Sequence, residues 1–141
     1  MEIKEVFSLA DFEISDLLEL MGELTSSTPV SAEMLMEVVR DPSAHLFAAF
    51  EGEHIVGCAT LCIFTSPTGR KGRIEDVVVS SSCRGQGLGR RLMEFAIDFA
   101  RREYSPVQLS LTSRPSRQAA NRLYQSLGFQ FYDTNVYKLY L

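Results

Sequence analysis

Three glycines and three arginines stand together in the segment 84–91. Gly85, Gly87 and Gly89 alternate, follow the β-branched run Val77–Val79 and precede apolar residues at helical spacing. A strand, a glycine loop and a helix in this order bind phosphate, because the loop N–H groups and the positive end of the helix face the same anion. Guanidinium groups add charge that suits phosphate oxygens. The segment therefore predicts a ligand that carries phosphate.

This segment differs from two common phosphate-binding motifs. A P-loop has Lys and then Ser or Thr after its last glycine, where this chain has Arg90 and Arg91. A dinucleotide-binding fold needs a third glycine where Arg90 stands. It also needs an acidic residue at the end of the next strand, where Thr112 and Ser113 lie. A glycine-rich turn without a ligand is a third interpretation, and the arginines disfavour it.

Composition limits the class of protein. The chain has 141 residues, 45% of them hydrophobic, which predicts a single domain over residues 1–141. Up to Glu53 there are twelve acidic and two basic residues, and from His54 on there are six acidic and twelve basic residues. This asymmetry favours an anionic ligand on the second half, whereas the net charge of −4 argues against nucleic acid as a partner.

The sequence also indicates where in the cell the protein is expected and whether it binds a metal. No apolar run is long enough to span a bilayer and the start does not resemble a signal peptide, so we expect a cytoplasmic protein with no membrane partner. The three cysteines, Cys58, Cys62 and Cys83, form neither a zinc pattern nor a disulfide framework. We therefore expect no metal, and core packing for Cys58 and Cys62.

Periodicity predicts an α/β fold with a central mixed sheet, about seven strands and four helices. The predicted strands are 2–7, 46–51, 55–64, 73–80, 107–111, 129–132 and 136–141. The predicted helices are 11–24, a short helix that Ser31 caps and that runs through Val39, 87–103, and one that Pro115 opens and Gly128 ends. A loop is predicted at 66–72.

Two segments carry a family pattern. Arg84, Gly87 and Gly89 fill the signature (Q/R)xxGx(G/A), and the segment 121–129 holds an Asn, then a Tyr, then Gly-Phe. Together they resemble the GCN5-related N-acetyltransferases (GNAT), and the order of elements extends this resemblance over the whole chain. The resemblance implies a GNAT-like fold, in which the mixed sheet is mostly antiparallel and is flanked by the four helices. The segment 72–76 is locally similar to the glucosamine-phosphate acetyltransferase branch. The resemblance implies an enzyme that transfers an acetyl group from acetyl-CoA, its cosubstrate, to a primary amine. The acceptor would be a small molecule or a protein, and transfer would occur directly within a ternary complex.

The resemblance also implies a role for each site residue. The fourth and fifth strands would splay apart, and backbone groups of Val77, Val78 and Val79 would bind the pantetheine amides in the gap. Asn121 would reach the pantetheine or phosphate arm. The residues that would hold the pyrophosphate are Arg84, Gly85, Gln86, Gly87, Leu88, Gly89 and Arg90.

Acyl transfer further requires a donor to the leaving sulfur and a route for the amine proton. The phenol of Tyr124 would be the donor. Glu75 or Asp76, which alternation along a strand would place on opposite faces, would take the proton through water. The other interpretation is that such a carboxylate pairs with Arg73 or Arg70.

Several alternatives stay open. Cys83 adjoins the glycine loop and could act as a nucleophile, although no histidine neighbours it to activate the thiol. A catalytically silent acyl-CoA sensor is a second function, which the presence of Tyr124 disfavours. The acceptor amine is not identified, and a homodimer is one alternative for the oligomeric state. The resemblance implies that the acceptor site includes Glu19, Glu23, the loop 25–29, Arg114, Asn135 and Tyr137.

Overall fold

The computed structural model describes all residues from 1 to 141. They divide into two compact units, 1–111 and 112–141. The first unit contains β1 (Glu2–Glu5), α1 (Asp11–Leu24), α2 (Ala32–Arg40), β2 (Ala44–Glu51), β3 (His54–Ser66), β4 (Gly69–Val79), α3 (Leu88–Tyr104) and β5 (Gln108–Ser110), with a 3-10 turn at Ser81–Cys83. The second unit contains α4 (Gln118–Ser126).

One sheet holds all five strands in the order β1-β2-β3-β4-β5. The first four strands pair antiparallel, and β5 pairs parallel with β4 over Lys71–Arg73 alone. Gly72 permits this approach, since a Cβ there would lie 2.7 Å from the Leu109 Cδ2 atom. From Ile74 to Val79, β4 has no partner on the β5 side. The gap between the fourth and fifth strands therefore lies along the second half of β4.

The core of the first unit lies on both faces of the sheet, because successive strand residues point to opposite sides. The α1–α2 cluster is the group of apolar residues on one face: Leu17, Leu20, Met21, Leu35, Leu46, Ala48, Phe50, Ile55, Cys58 and Val78, with Val6. The α3 cluster, on the other face, contains Ala49, Ala59, Cys83, Leu88 and Leu92. The glycine loop therefore leads from one well-packed element, β4, into another, α3.

The chain ends without the two strands predicted at 129–132 and 136–141. The prediction of about seven strands is wrong, whereas the mixed sheet and the four helices are confirmed. The segment has strand-forming residue types, but a strand also needs a backbone partner for its N–H and C=O groups. Its side chains are exposed instead, Phe131 to 82% and Tyr137 to 87%, and the sheet ends at β5.

The structure confirms two of the predicted helix ends and contradicts one predicted loop and one predicted helix start. The Ser31 hydroxyl accepts a hydrogen bond from the Met34 N–H at 3.1 Å, which confirms the cap. Gly128 follows α4 with φ of +103°, and its N–H donates to the Gln125 carbonyl as in a Schellman ending. The loop predicted at 66–72 is wrong, because β3 and β4 continue as a hairpin with a two-residue turn. Pro115 does not open α4, which begins at Gln118 after an irregular turn.

A chain of short hydrogen bonds ties the end of α3 to the sheet. His45 Nδ1 lies 2.6 Å from a carboxylate oxygen of Glu5, and its Nε2 lies 2.6 Å from the Tyr104 hydroxyl. Arg70 donates to the Tyr104 carbonyl at 3.0 Å and stands over its ring. These contacts join β1, β2 and β4 to the last residue of α3. None of the four helices is both long and apolar enough to cross a membrane.

Candidate active site

A β-bulge interrupts β4 just before its last residues. The register passes from Thr60 opposite Glu75 to Cys58 opposite Val78, so three steps along β4 match two along β3. Asp76 takes up the extra length with φ of +52°, a left-handed conformation that Asp tolerates better than most residues. The bulge breaks the regular alternation that predicts opposite faces for Glu75 and Asp76.

The bulge also decides which way the valines point. Val78 joins the α1–α2 cluster, and Val77 and Val79 pack against the α3 cluster. One edge of this stretch pairs with β3, while the other edge has no strand beside it. A ligand with two amides, laid along this open edge, would add to the sheet as an extra strand does. The three valines predicted to bind such a ligand through their backbones thus lie where that binding needs them.

The glycine loop provides an uncovered helix N-terminus. Gly85 and Gly87 have φ of +81° and +74°, values that residues with a side chain rarely adopt. A Cβ built on either glycine would meet nothing within 4 Å, so the space beside the backbone is open. The helix α3 begins at Leu88, and its first turn contains no acidic residue to offset the helix dipole. The loop can therefore take an anion such as a pyrophosphate against its N–H groups.

The three arginines of this segment have different contacts. Arg84 lies at the loop, with its Nε 3.4 Å from the Val79 carbonyl oxygen. Arg90 pairs with Glu94 at 3.4 Å on the first turn of α3. Arg91 instead donates to the Met1 carbonyl at 2.9 Å, which ties α3 to the start of the chain. Arg84 and Arg90 are thus the better-placed cations for a bound anion.

The two carboxyl groups at the bulge differ in their surroundings. Glu75 accepts a hydrogen bond from the Arg73 Nε at 2.8 Å, the ion pair that was the alternative to a catalytic role. Asp76 forms no ion pair. Asp76 is an exposed residue, but partial burial of its carboxyl group, and secondly the neighbouring charge of Glu75, raise its pKa above that of an ordinary Asp. A carboxyl group whose pKa is raised holds a proton more readily, which suits a group that must accept one.

Two of the three thiols, those of Cys58 and Cys83, are buried, and that of Cys62 is half-buried. Burial raises the pKa of Cys58 to about 12, and burial also raises that of Cys62. Cys83 is 3% exposed and belongs to the α3 cluster, which disfavours it as a nucleophile. The core packing predicted for Cys58 agrees with its complete burial, whereas Cys62, predicted to pack in the core as well, is only half-buried.

The second unit carries the other two predicted site residues. The side-chain amide of Asn121 donates to the Arg114 carbonyl at 3.0 Å. The ring of Tyr124 packs edge-on against that of Phe129, with centroids 6.3 Å apart. Both contacts keep α4 and the turn after it in a defined arrangement. The roles of Asn121 and Tyr124 towards a ligand stay predictions.

Sequence reasoning did not anticipate two features near the site. The bulge at Asp76 has a weak signal, an Asp inside a strand pattern, because Asp is depleted in strands and enriched in left-handed conformations. The hydrogen bond from the Ser81 N–H to Glu23, at 3.1 Å, joins residues 58 positions apart, and no local pattern indicates it.

The family is decided by a comparison with known domains. Residues 12–129 match the model of the acetyltransferase (GNAT) family. The chain belongs to this family. A GNAT acetyltransferase is an acyltransferase, and the matched residues include β2 to β5, the glycine loop and all four helices except the first residue of α1.

Individual relatives agree with this assignment. A Bacillus subtilis protein named as an uncharacterized N-acetyltransferase is 31% identical over 107 residues, covering 74% of this chain and 69% of its own. The glucosamine 6-phosphate N-acetyltransferase of Trypanosoma brucei brucei is 31% identical over 140 residues, covering 94% and 92% of the two chains. Among solved structures, a protein from Agrobacterium tumefaciens str. C58, which its name assigns to the acetyltransferases, superposes with a TM-score of 0.82. The two sequences are 25% identical, and the superposition covers 99% of this GNAT chain and 100% of the other chain.

Gly87 tests the loop as the phosphate site. In Gly87→Val the new side chain occupies the open space, so binding of acetyl-CoA should be abolished. Gly52→Val is the matched control, because Gly52 also has a left-handed φ, +62°, and also has nothing within 4 Å of a built Cβ. Each variant should lose about 1–2 kcal/mol of stability through backbone strain.

The measurement is the rise in melting temperature on adding acetyl-CoA, compared with ATP and NADH at equal concentration. The wild type and Gly52→Val should respond to acetyl-CoA clearly more than to the other two. A full response in Gly87→Val, or equal responses to all three ligands, would show that the loop is not the acetyl-CoA site.

Proposed function

We propose that this GNAT protein transfers an acetyl group from acetyl-CoA to a primary amine of a small molecule, by direct transfer in a ternary complex. The observation that carries the proposal is that two features able to bind a cofactor follow one another along the chain. The open edge of β4 at Val77–Val79 leads within a few residues into the uncovered N-terminus of α3 at Gly87. An acyl-CoA has amides and a pyrophosphate in the same order along one arm.

The residues would act as follows. Backbone groups of Val77–Val79 hold the pantetheine arm, and the N–H of Val79 donates to the thioester carbonyl oxygen as negative charge develops there. The loop 84–89 and Arg90 hold the pyrophosphate. Asn121 holds the pantetheine or phosphate arm. The amine nitrogen bonds to the carbonyl carbon, the carbon–sulfur bond breaks, and the phenol of Tyr124 gives its proton to the departing sulfur.

The amine proton goes through water to a carboxylate at the bulge. Glu75 is one candidate, but its oxygen is already bonded to Arg73. Asp76 is better supported, because it forms no ion pair and because its pKa is raised. Its left-handed φ is also the kind of backbone strain that clusters at active sites. A general base of this kind contributes ~10²–10⁴-fold to a rate.

Turnover with a panel of amines tests the proposed function. Acetyl-CoA is mixed with the protein and each amine, and release of free CoA thiol is followed. The panel contains glucosamine 6-phosphate, because a relative is named for it, together with unphosphorylated glucosamine, a polyamine, an aminoglycoside and a lysine peptide. We expect turnover with at least one small amine above the rate without amine. Binding of acetyl-CoA without turnover on any amine would contradict the enzyme and favour a sensor.

Tyr124→Phe tests the proton donor. The variant keeps the ring and its packing on Phe129 and removes only the hydroxyl. We expect turnover to fall about tenfold or more, with little change in acetyl-CoA affinity. Tyr140→Phe, at an exposed position, is the control and should behave as wild type. Steady-state kinetics and calorimetric affinity are measured side by side. Unchanged turnover in Tyr124→Phe would leave the residue a packing aromatic only.

The pH dependence of kcat/KM distinguishes Asp76 from Glu75. The base works deprotonated, so activity should rise as pH rises through the Asp76 pKa, which lies above that of an ordinary Asp. Asp76→Asn keeps a residue that tolerates the left-handed conformation, removes this step and lowers the plateau about 10²-fold or more. Glu75→Gln should keep the step. If Glu75→Gln loses the step while Asp76→Asn keeps it, then Glu75 is the base.

A further inference from the structure

The segment between β4 and the glycine loop is fixed from several sides. The Ser80 N–H donates to the Val56 carbonyl of β3 at 2.8 Å, and the side chain of Cys83 is buried in the α3 cluster. The 3-10 turn Ser81–Cys83 between these two points decides the direction in which Arg84 and the glycines leave the strand. Whatever holds Ser81 therefore helps to orient the loop.

Ser81 is held by a residue of another element. Its N–H donates to a carboxylate oxygen of Glu23 at 3.1 Å, although Glu23 is the second-last residue of α1. The pKa of Glu23 is lowered by hydrogen bonds from Ser81 and, to a smaller extent, by the charge of Arg84. Its carboxylate thus caps the first N–H of the turn and lies in the field of a loop cation.

We propose that Glu23 is a positioning residue for cofactor binding, acting through the Ser81 N–H to set the glycine loop. The inference rests on the proposed function, since it assumes that acyl-CoA binds at this loop. Removing Glu23 has two opposing effects on cofactor binding, one electrostatic and one structural. A lost carboxylate relieves repulsion with the pyrophosphate, whereas a lost hydrogen bond leaves the turn less well held. The proposal states that the second effect is the larger one.

Three variants separate these effects. Glu23→Ala removes both the charge and the acceptor. Glu23→Gln removes the charge but keeps an oxygen that can accept from Ser81. Glu37→Ala removes an equal charge from α2, at an exposed position that forms no ion pair, and serves as the matched control.

The affinity for CoA is measured by calorimetry. Glu23→Ala should weaken CoA binding about fivefold, and Glu23→Gln should stay within about twofold of wild type. Glu37→Ala should bind as wild type does. Equal or tighter binding in Glu23→Ala, or equal losses in Glu23→Ala and Glu23→Gln, would overturn the positioning role.

Amide hydrogen exchange provides a readout that needs no ligand. In Glu23→Ala the amides of Ser81–Cys83 should exchange faster while the amides of α3 and β3 keep their wild-type rates. Unchanged exchange at Ser81 would overturn the proposal even if the wild type binds CoA. Failure of the wild type to bind CoA would instead remove the proposed function, and the two failures are therefore distinguishable.

Discussion

The left-handed turn of the backbone at Asp76 is the constraint on which the arrangement around β4 depends. One extra residue in β4 reverses the face of the sheet to which each later side chain points. As a result, Val78 packs in the α1–α2 cluster, and Val77 and Val79 contact the α3 cluster. Val78 is buried and Val77 and Val79 are half-buried, whereas the edge on the β5 side has no strand beside it and stays available to a ligand. The glycine loop begins five residues beyond Val79, and the direction of its approach follows from where the strand ends.

Features set by a few neighbouring residues were predictable from the sequence. The glycine loop, the Ser31 cap and the Gly128 ending each depend on residue types within one turn of chain, and the structure has all three. The helices α1 and α3 follow from apolar spacing that no competing pattern obscures. Features that depend on a distant partner were not predictable. The segment 129–141 has strand-forming composition, yet no partner strand, and composition cannot reveal that.

The same distinction applies to the candidate site. The segment Arg84–Gly87 lies between β4 and α3 as expected, and Leu88 and Gly89 begin the helix. The glycines make this geometry predictable, because Gly85 and Gly87 adopt left-handed φ values. The role of a charged side chain depends on which partner it contacts, and the sequence does not determine which of several partners that is. Arg91 bonds to Met1, at the far end of the chain, and Glu75 bonds to Arg73. From the sequence alone, each of these two side chains is a candidate to bind a ligand. In the structure each one binds another residue of the chain instead.

The burial of the cysteines has a consequence for working with the protein. Disulfide reagents react with thiolates, and Cys58 and Cys62 are kept protonated by their raised pKa values. Cys83 is enclosed as well. Cys62 is only half-buried. A colorimetric reagent for thiols should consequently detect at most one of the three thiols in the folded protein and all three once it unfolds. The slow fraction of the reaction, from Cys58 and Cys83, then reports opening of the two core clusters that contain them.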